Sequence, residues 1–118
     1  MTADDVKFTF DRILDPASAS PLANTFRSID HVDVLDPLTV RFSLKTRFAS
    51  FLRYMATIPW GAIVAKETVD QLDNASIGTG PFAFQEHQRD QFVQLKKHPT
   101  YYEAGLPYLD GVSHRVGW

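Results

Sequence analysis

Apolar side chains in the first segment recur at the spacing of one helical face, at Val6, Phe10, Ile13 and Leu14. This period predicts an amphipathic helix over about residues 3–14. Thr2 is suited to cap its start, and acidic residues in the first turn suit the helix dipole. The Asp15-Pro16 pair is expected to end the helix, because proline cannot continue it.

Two segments alternate apolar and polar residues with the period of a half-buried strand. Residues 29–36 and 40–44 do so on either side of the turn-forming sequence Asp36-Pro37-Leu38-Thr39. Together they predict an antiparallel hairpin with one buried face. The same alternation predicts three further strands, over residues 82–87, 91–97 and 112–116.

Short helices are predicted between these strands, over residues 21–27, 48–56 and 66–72, while the small polar residues 16–20 predict a loop. The fold class that follows is α+β, a mostly antiparallel sheet with a few helices packed on it. A length of 118 residues suits one domain with a single core. We therefore expect residues 1–118 to form a single subdomain.

A glycine-rich loop, Ile77-Gly78-Thr79-Gly80-Pro81, leads into the strand that begins at Phe82. Gly78 and Gly80 are expected to adopt backbone angles or close approaches that a Cβ atom would forbid. Pro81 lacks an N–H donor and suits the first residue of a strand. A phosphate cradle needs converging N–H groups and commonly a following helix. A structural turn is therefore favoured over a phosphate site.

Composition narrows the function classes. Apolar residues make up 44% of the chain and charged residues 22%, which is ordinary for a folded protein. The net charge of -2 gives no reason to expect nucleic acid or an anionic membrane as partner. The absence of cysteine excludes disulfides, thiolate metal sites and cysteine nucleophiles. No segment has the length of a membrane span, and Met1-Thr2-Ala3-Asp4-Asp5 does not resemble a signal peptide.

No constellation of residues with catalytic or metal-binding chemistry emerges. His31 and Asp33 are expected on one strand face, but two ligands do not make a metal site. No serine lies in the strand–turn–helix elbow of a hydrolase. The sequence therefore predicts a non-enzymatic protein with no metal and no cofactor.

Trp60, between Pro59 and Gly61, leaves two alternatives open. An exposed tryptophan there would anchor a ligand or a partner, whereas a buried one would fill the core beneath the helix predicted over residues 48–56. The loop that follows Pro99 contains three tyrosines, Tyr101, Tyr102 and Tyr108. We expect them to cover a sheet edge or to pack against another domain.

Five segments, taken in order, resemble the motifs of one family. Residues 2–12 are similar to an A-D-D-V-x-F-(S/T)-(F/L/W)-x-R helix, and residues 34–44 to a V-x-D-x-x-T-V-x-F-x-L hairpin. Residues 48–52 resemble a (F/Y)-A-P-F-L helix start, with Ser50 in place of proline. Residues 78–82 match G-T-G-P-F in full, and residues 101–111 resemble Y-W-x-G-x-P-Y-L-D-x, with Tyr102 where tryptophan is common. These motifs are those of family 5 extracellular solute-binding proteins, the oligopeptide, dipeptide and nickel receptors of ABC importers.

The resemblance implies an excised part of lobe I, one subdomain of a two-lobe periplasmic-binding-protein-like receptor. In such receptors two lobes close around the ligand, and this subdomain supplies one wall. The resemblance places that wall at Leu22 and at Pro59, Trp60, Gly61 and Ala62. Leu22 and Ala62 stand where some metal-chelate receptors carry an aromatic residue and an arginine. Thr79 and Gly80 are expected to shape their loop.

The function implied is that of a substrate-binding component of an ABC-type importer, which binds a peptide or another small solute and docks on a permease. The full-length parent is expected to be periplasmic, or extracytoplasmic and membrane-associated, although this stretch has no signal peptide. The alternative is a stand-alone protein-interaction module that uses Trp60 and the Tyr101–Tyr108 loop.

Overall fold

A computed structural model of the protein describes residues 1–57, 61–72 and 77–117. The chain divides into two compact units, Met1–Lys66 and Glu67–Trp118. Antiparallel strands and short helices make up these units, so the predicted α+β class is confirmed. Among the described residues, no helix is both long and apolar enough to cross a membrane.

The first unit packs one helix against a two-stranded hairpin. Its main elements are α1 (Ala3–Leu14), α2 (Ala23–Phe26), β1 (Ile29–Asp36), β2 (Thr39–Leu44) and α3 (Phe51–Met55). In the hairpin, Val32 of β1 pairs with Phe42 of β2, and Val34 pairs with Val40. The predicted amphipathic helix and the predicted first hairpin are thus both confirmed.

The core of this unit forms where α1 meets the hairpin, and its buried members are Phe10, Ile13, Phe26, Ile29 and Val32. Phe10 lies at its centre, and its ring packs edge-to-face on two others. The centroid of the Phe10 ring is 5.1 Å from that of Phe26 and 5.0 Å from that of Phe42. Burying each such side chain contributes about 1.5–3 kcal/mol. This cluster fixes α1 on the hairpin and provides the surface on which the rest of the unit packs.

The second unit contains a three-stranded antiparallel sheet. Its strands are β3 (Phe82–Gln88), β4 (Phe92–Lys97) and β5 (Gly111–Arg115), in the order β3-β4-β5. Leu95 of β4 pairs with Phe84 on one side and with Val112 on the other. A Cβ atom on Gly111 would lie 2.7 Å from the carbonyl oxygen of Leu95, so this position accepts only glycine without a shift. The second hairpin and the last strand agree with the sequence prediction to within one residue.

The short helices differ from their predicted bounds. Residues 16–20, predicted as a loop, contain a 3₁₀ turn over Pro16–Ser18, because the Asp15 carboxylate accepts a hydrogen bond from the Ala17 N–H at 2.9 Å. The helices predicted over residues 21–27 and 48–56 shorten to α2 and α3, and the one over 66–72 is a 3₁₀ helix over Lys66–Gln71. Just before α2, the Ser20 hydroxyl oxygen accepts a hydrogen bond from the Leu22 N–H at 3.3 Å, and the helix begins after Leu22. That residues 1–118 act as a single subdomain stays a prediction.

Candidate functional site

The wall predicted from the resemblance falls partly within the described residues. Pro59 and Trp60 lie outside them, so neither the placement of Trp60 nor the choice between its two alternatives is addressed by the structure. Leu22 is half-buried just before α2, and Ala62 is exposed after α3. Leu22 and Ile63, the neighbour of Ala62, pack against the same core cluster. Leu22 and the residue that follows Ala62 therefore pack on one core.

Gly61 sits where the chain passes closely over the end of α3. A Cβ atom at this position would lie 1.6 Å from the carbonyl oxygen of Met55. The Gly61 N–H also donates a hydrogen bond to the carbonyl oxygen of Thr57 at 3.3 Å. Only glycine permits this approach, so Gly61 has a structural role in setting the direction of the chain into Ala62.

Two buried polar side chains on α1 hold the segment that follows Ala62. The Thr9 hydroxyl accepts a hydrogen bond from the Val64 N–H at 2.9 Å and donates one to the Asp5 carbonyl oxygen at 2.8 Å. The Asp5 carboxylate accepts one from the Lys66 N–H at 3.1 Å. Only 4% of Thr9 and 6% of Asp5 is exposed. We call these contacts of Asp5 and Thr9 with Val64 and Lys66 the α1 latch.

The charge of Asp5 is stabilised by backbone donors on both of its carboxylate oxygens. The second oxygen accepts a hydrogen bond from the Thr2 N–H at 2.7 Å. The Thr2 and Lys66 N–H groups lower the pKa of Asp5 below its usual range, and burial opposes them in part. A carboxylate held in this way is a fixed acceptor rather than a proton donor, so its role is structural.

Sequence reasoning missed the α1 latch. It placed Asp5 in the first turn for its effect on the helix dipole and assigned nothing to Thr9. The available signal was their spacing of four residues beside the apolar stripe that contains Phe10, which puts both polar side chains next to the buried face. A polar pair there needs hydrogen-bond partners from elsewhere in the fold.

The glycine-rich loop differs from its prediction. Neither Gly78 nor Gly80 has a positive φ, and a Cβ atom on either would meet no described atom within 4 Å. The expectation that these two positions have backbone angles or close contacts that a Cβ atom would forbid is therefore wrong. Pro81 precedes β3 as expected, and its carbonyl oxygen accepts a hydrogen bond from the His98 N–H at 2.9 Å. Thr79 is exposed, and a role for it in shaping the loop stays a prediction.

His31 and Asp33 do lie on one strand face, with His31 Nε2 3.4 Å from a carboxylate oxygen of Asp33. Asp33 also pairs with the Arg41 guanidinium at 2.8 Å, and this bond lowers the pKa of Asp33. Across the described ranges, no group of three His, Cys, Asp or Glu side chains is placed to hold a metal ion. The cluster is an exposed charge network on the hairpin.

The tyrosine loop presents an apolar surface in the second unit. Tyr108 is 88% exposed and, with Leu106 and Leu109, lines a cavity of about 310 Å³. The rings of Tyr101 and Tyr102 lie 4.6 Å apart. A hydrogen bond with Tyr102, together with burial, raises the pKa of Tyr101 to about 12. The Tyr101 phenol therefore remains protonated across the physiological range.

Sequence comparison identifies the family. The sequence model of the bacterial extracellular solute-binding proteins, family 5 middle region, matches residues 1–117. The chain belongs to family 5. The prediction from the five motifs is confirmed, and because the family consists of solute-binding proteins, so is the prediction of a non-enzymatic protein. Nothing in these comparisons supports the alternative of a stand-alone interaction module.

Individual family 5 relatives have different named ligands. The di/tripeptide-binding protein 4 of Pseudomonas aeruginosa is 39% identical over 136 positions, covering 98% of this chain and 25% of its own length. The glutathione-binding protein GsiB of Pectobacterium atrosepticum is 32% identical, covering 93% of this chain and 22% of its own length. The chain thus spans about a quarter of the length of these relatives.

A solved family 5 structure has the same fold. The binding protein AgaA from A. tumefacien R10, determined with agropinic acid, superposes with a TM-score of 0.84 at 35% identity. The match covers 97% of this chain and 24% of AgaA. The fold is therefore that of one part of a larger solute-binding protein.

Proposed function

We propose that the chain is part of the substrate-binding component of an ABC-type importer and contributes one wall of a cleft for a peptide or another small solute. In this role residues 1–118 form a subdomain of lobe I and perform no catalysis. The observation that carries the proposal is the family match over residues 1–117. The relatives named for di/tripeptides, for glutathione and for agropinic acid support the ligand class.

The geometry of the first unit supports the place of the wall. Gly61 directs the chain over the end of α3, and the α1 latch fixes Val64 and Lys66 a few residues later. Ala62 therefore lies on a short segment held at both ends. Such prior ordering lowers the entropy cost of binding, because the segment does not have to be immobilised by the ligand.

The side chains of this wall are uncharged. Leu22, Gly61 and Ala62 carry no charged group, and Pro59 and Trp60 add none. Surfaces of this kind exclude water and let a few polar groups elsewhere fix the orientation of the ligand. The charged ends of a peptide are then held by residues of the receptor outside this wall.

The partners and location follow from the same role. The solute reaches the membrane complex when the receptor docks on the importer's permease. The receptor acts in the periplasm, or outside the cytoplasmic membrane and attached to it. The extracellular family assignment supports this location.

The test is to compare the 118-residue chain with the polypeptide encoded by the complete gene. Isothermal titration of the complete protein with a panel of di- and tripeptides is expected to show dissociation constants of about 1 μM for the best ligand. The isolated chain is expected to bind the same peptide weakly or not at all, because half of the enclosure is absent. Micromolar binding by the isolated chain would contradict the proposal, as would a gene that ends at Trp118.

A further inference from the structure

A basic groove lies at the end of the first unit's hairpin, and none of the described residues that line it is assigned to the wall. Its volume is about 340 Å³, and it is lined by Arg27, Ser28, Arg47, Phe48 and Tyr54, with Asn24, Thr25 and Thr46. That volume is within the range of small-molecule sites. We call it the Arg27–Arg47 groove.

The walls of the groove are held in place by the backbone. The carbonyl oxygen of Ser28 accepts a hydrogen bond from the Lys45 N–H at 2.8 Å, and Ile29 pairs with Leu44 beside it. These contacts join the segment after α2 to the segment after β2. Arg27 and Arg47 therefore face one groove although they lie far apart in the sequence.

Neither guanidinium has a side-chain partner among the described residues. No ion pair or side-chain hydrogen bond within the described ranges involves Arg27 or Arg47, whereas Arg41 is paired with Asp33. None of the described lining residues carries a carboxylate. The groove is therefore a local positive site on a chain whose net charge is -2. A guanidinium binds a carboxylate in a planar, two-bond geometry, so two unpaired ones in a groove favour an anionic occupant.

The groove also has an apolar side. It is formed by Phe48 and Tyr54, whose ring centroids lie 5.3 Å apart. An apolar or aromatic part of an anionic occupant would pack on these two rings.

We propose that the Arg27–Arg47 groove binds a small organic anion that combines a carboxylate with an aromatic or apolar group. The carboxylate pairs with the two guanidinium groups, and the apolar part packs on Phe48 and Tyr54. Inorganic phosphate would use only the first of these features. None of the described residues that line this groove belongs to the proposed wall, and the proposal does not depend on the importer role.

Hippurate, which joins a phenyl ring to a carboxylate, is a suitable probe, and its neutral amide and inorganic phosphate are the matched comparisons. Binding is measured by calorimetry and by saturation-transfer NMR observed on the ligand. We expect hippurate to bind with a dissociation constant of about 1 mM or tighter. The amide and phosphate are each expected to bind about tenfold more weakly.

Substitutions locate the binding. Arg27→Gln and Arg47→Gln each remove one guanidinium and are expected to weaken hippurate binding about tenfold. Arg89→Gln, an exposed arginine in the β3–β4 turn, is the matched control and is expected to leave the affinity unchanged. Thermal melting curves confirm that each variant is folded.

The proposal is overturned if hippurate binds no more tightly than its amide, or if both groove variants bind like the unmodified protein. Phosphate binding as tight as that of hippurate would also overturn it, because the apolar side of the groove would then contribute nothing. If Arg89→Gln weakens hippurate binding as much as the groove variants do, the loss of affinity comes from the change in net charge alone and the proposal is overturned.

Discussion

The carboxylate of Asp5 in the first turn of α1 accepts a hydrogen bond from the backbone N–H of Lys66 at 3.1 Å, across 61 residues of sequence. This bond ends the segment that carries Ala62, and Gly61 begins it. A carboxylate with backbone donors on both oxygens is a stronger restraint than a neutral acceptor, because the hydrogen bonds are charge-assisted. Asp5 therefore contributes both to stability and to the placement of the proposed wall.

Asp5→Asn tests the contribution to stability. The asparagine amide keeps only one oxygen, so its NH₂ group would face either the Thr2 N–H or the Lys66 N–H. One buried donor then loses its partner, and we expect the free energy of unfolding in urea at pH 7 to fall by about 2 kcal/mol. The matched control is Asp4→Asn, an exposed carboxylate of the same turn, with an expected loss of about 0.5 kcal/mol. Equal losses would assign the effect of Asp5 to the helix dipole.

The pH dependence of stability tests the lowered pKa of Asp5. Because its pKa in the folded protein lies below the unfolded value of about 3.9, its contribution is fully present above that value. The contribution is lost as the pH falls through the folded pKa. Urea denaturation between pH 7 and pH 2 should therefore show a smaller loss of stability on acidification in Asp5→Asn than in the unmodified protein. Parallel curves for the two proteins would rule out this role.

Thr9→Val tests the other half of the α1 latch. Valine keeps the shape of threonine but removes the acceptor of the Val64 N–H, and we expect a loss of about 1–3 kcal/mol in the free energy of unfolding. Thr57→Val is the control, since its hydroxyl makes the same bond to a carbonyl four residues earlier, Arg53, but is exposed. The control should lie within about 0.5 kcal/mol of the unmodified protein. Similar losses in the two variants would show that the bond to Val64 contributes little.

Gly61→Ala tests the close approach to α3. The added Cβ atom would meet the Met55 carbonyl oxygen at 1.6 Å, so the backbone must move. We expect a loss of about 1–3 kcal/mol in the free energy of unfolding. Gly78→Ala, whose Cβ atom meets no described atom within 4 Å, is expected to be neutral or to stabilise by up to about 1 kcal/mol. A larger loss of stability in Gly78→Ala than in Gly61→Ala would contradict the geometry described for both glycines.

The elements that could be predicted from sequence are those whose buried face repeats locally. Phe10 on α1 and the alternation through Val32 and Phe42 mark the faces that meet in the core, and periodicity is sufficient to identify them. The predicted bounds of α2 and α3 were too wide, because tertiary contacts and individual hydrogen bonds set where a short helix begins and ends. The bond between the Leu22 N–H and the Ser20 hydroxyl, just before α2, is an example.

The site depends on contacts that no local pattern contains. Asp5 and Lys66 meet only after the chain has folded, and only then do Arg27 and Arg47 line one groove. The family resemblance predicts a wall that includes Gly61, but it does not show that the carbonyl of Met55 requires a glycine there. The glycine-rich loop shows the converse error. Gly78 and Gly80 form a conspicuous motif, yet the backbone there requires no glycine on steric grounds.

The most direct test of the central claim is the affinity of the complete protein for its best peptide when the wall is altered. Ala62→Arg places a long charged side chain on the exposed wall position, and Ala17→Arg makes the same change at an exposed position of the 3₁₀ turn. We predict that Ala62→Arg weakens binding at least about tenfold, or about 1.4 kcal/mol, while Ala17→Arg has no effect. Unchanged affinity in Ala62→Arg would show that this segment is not a wall of the cleft.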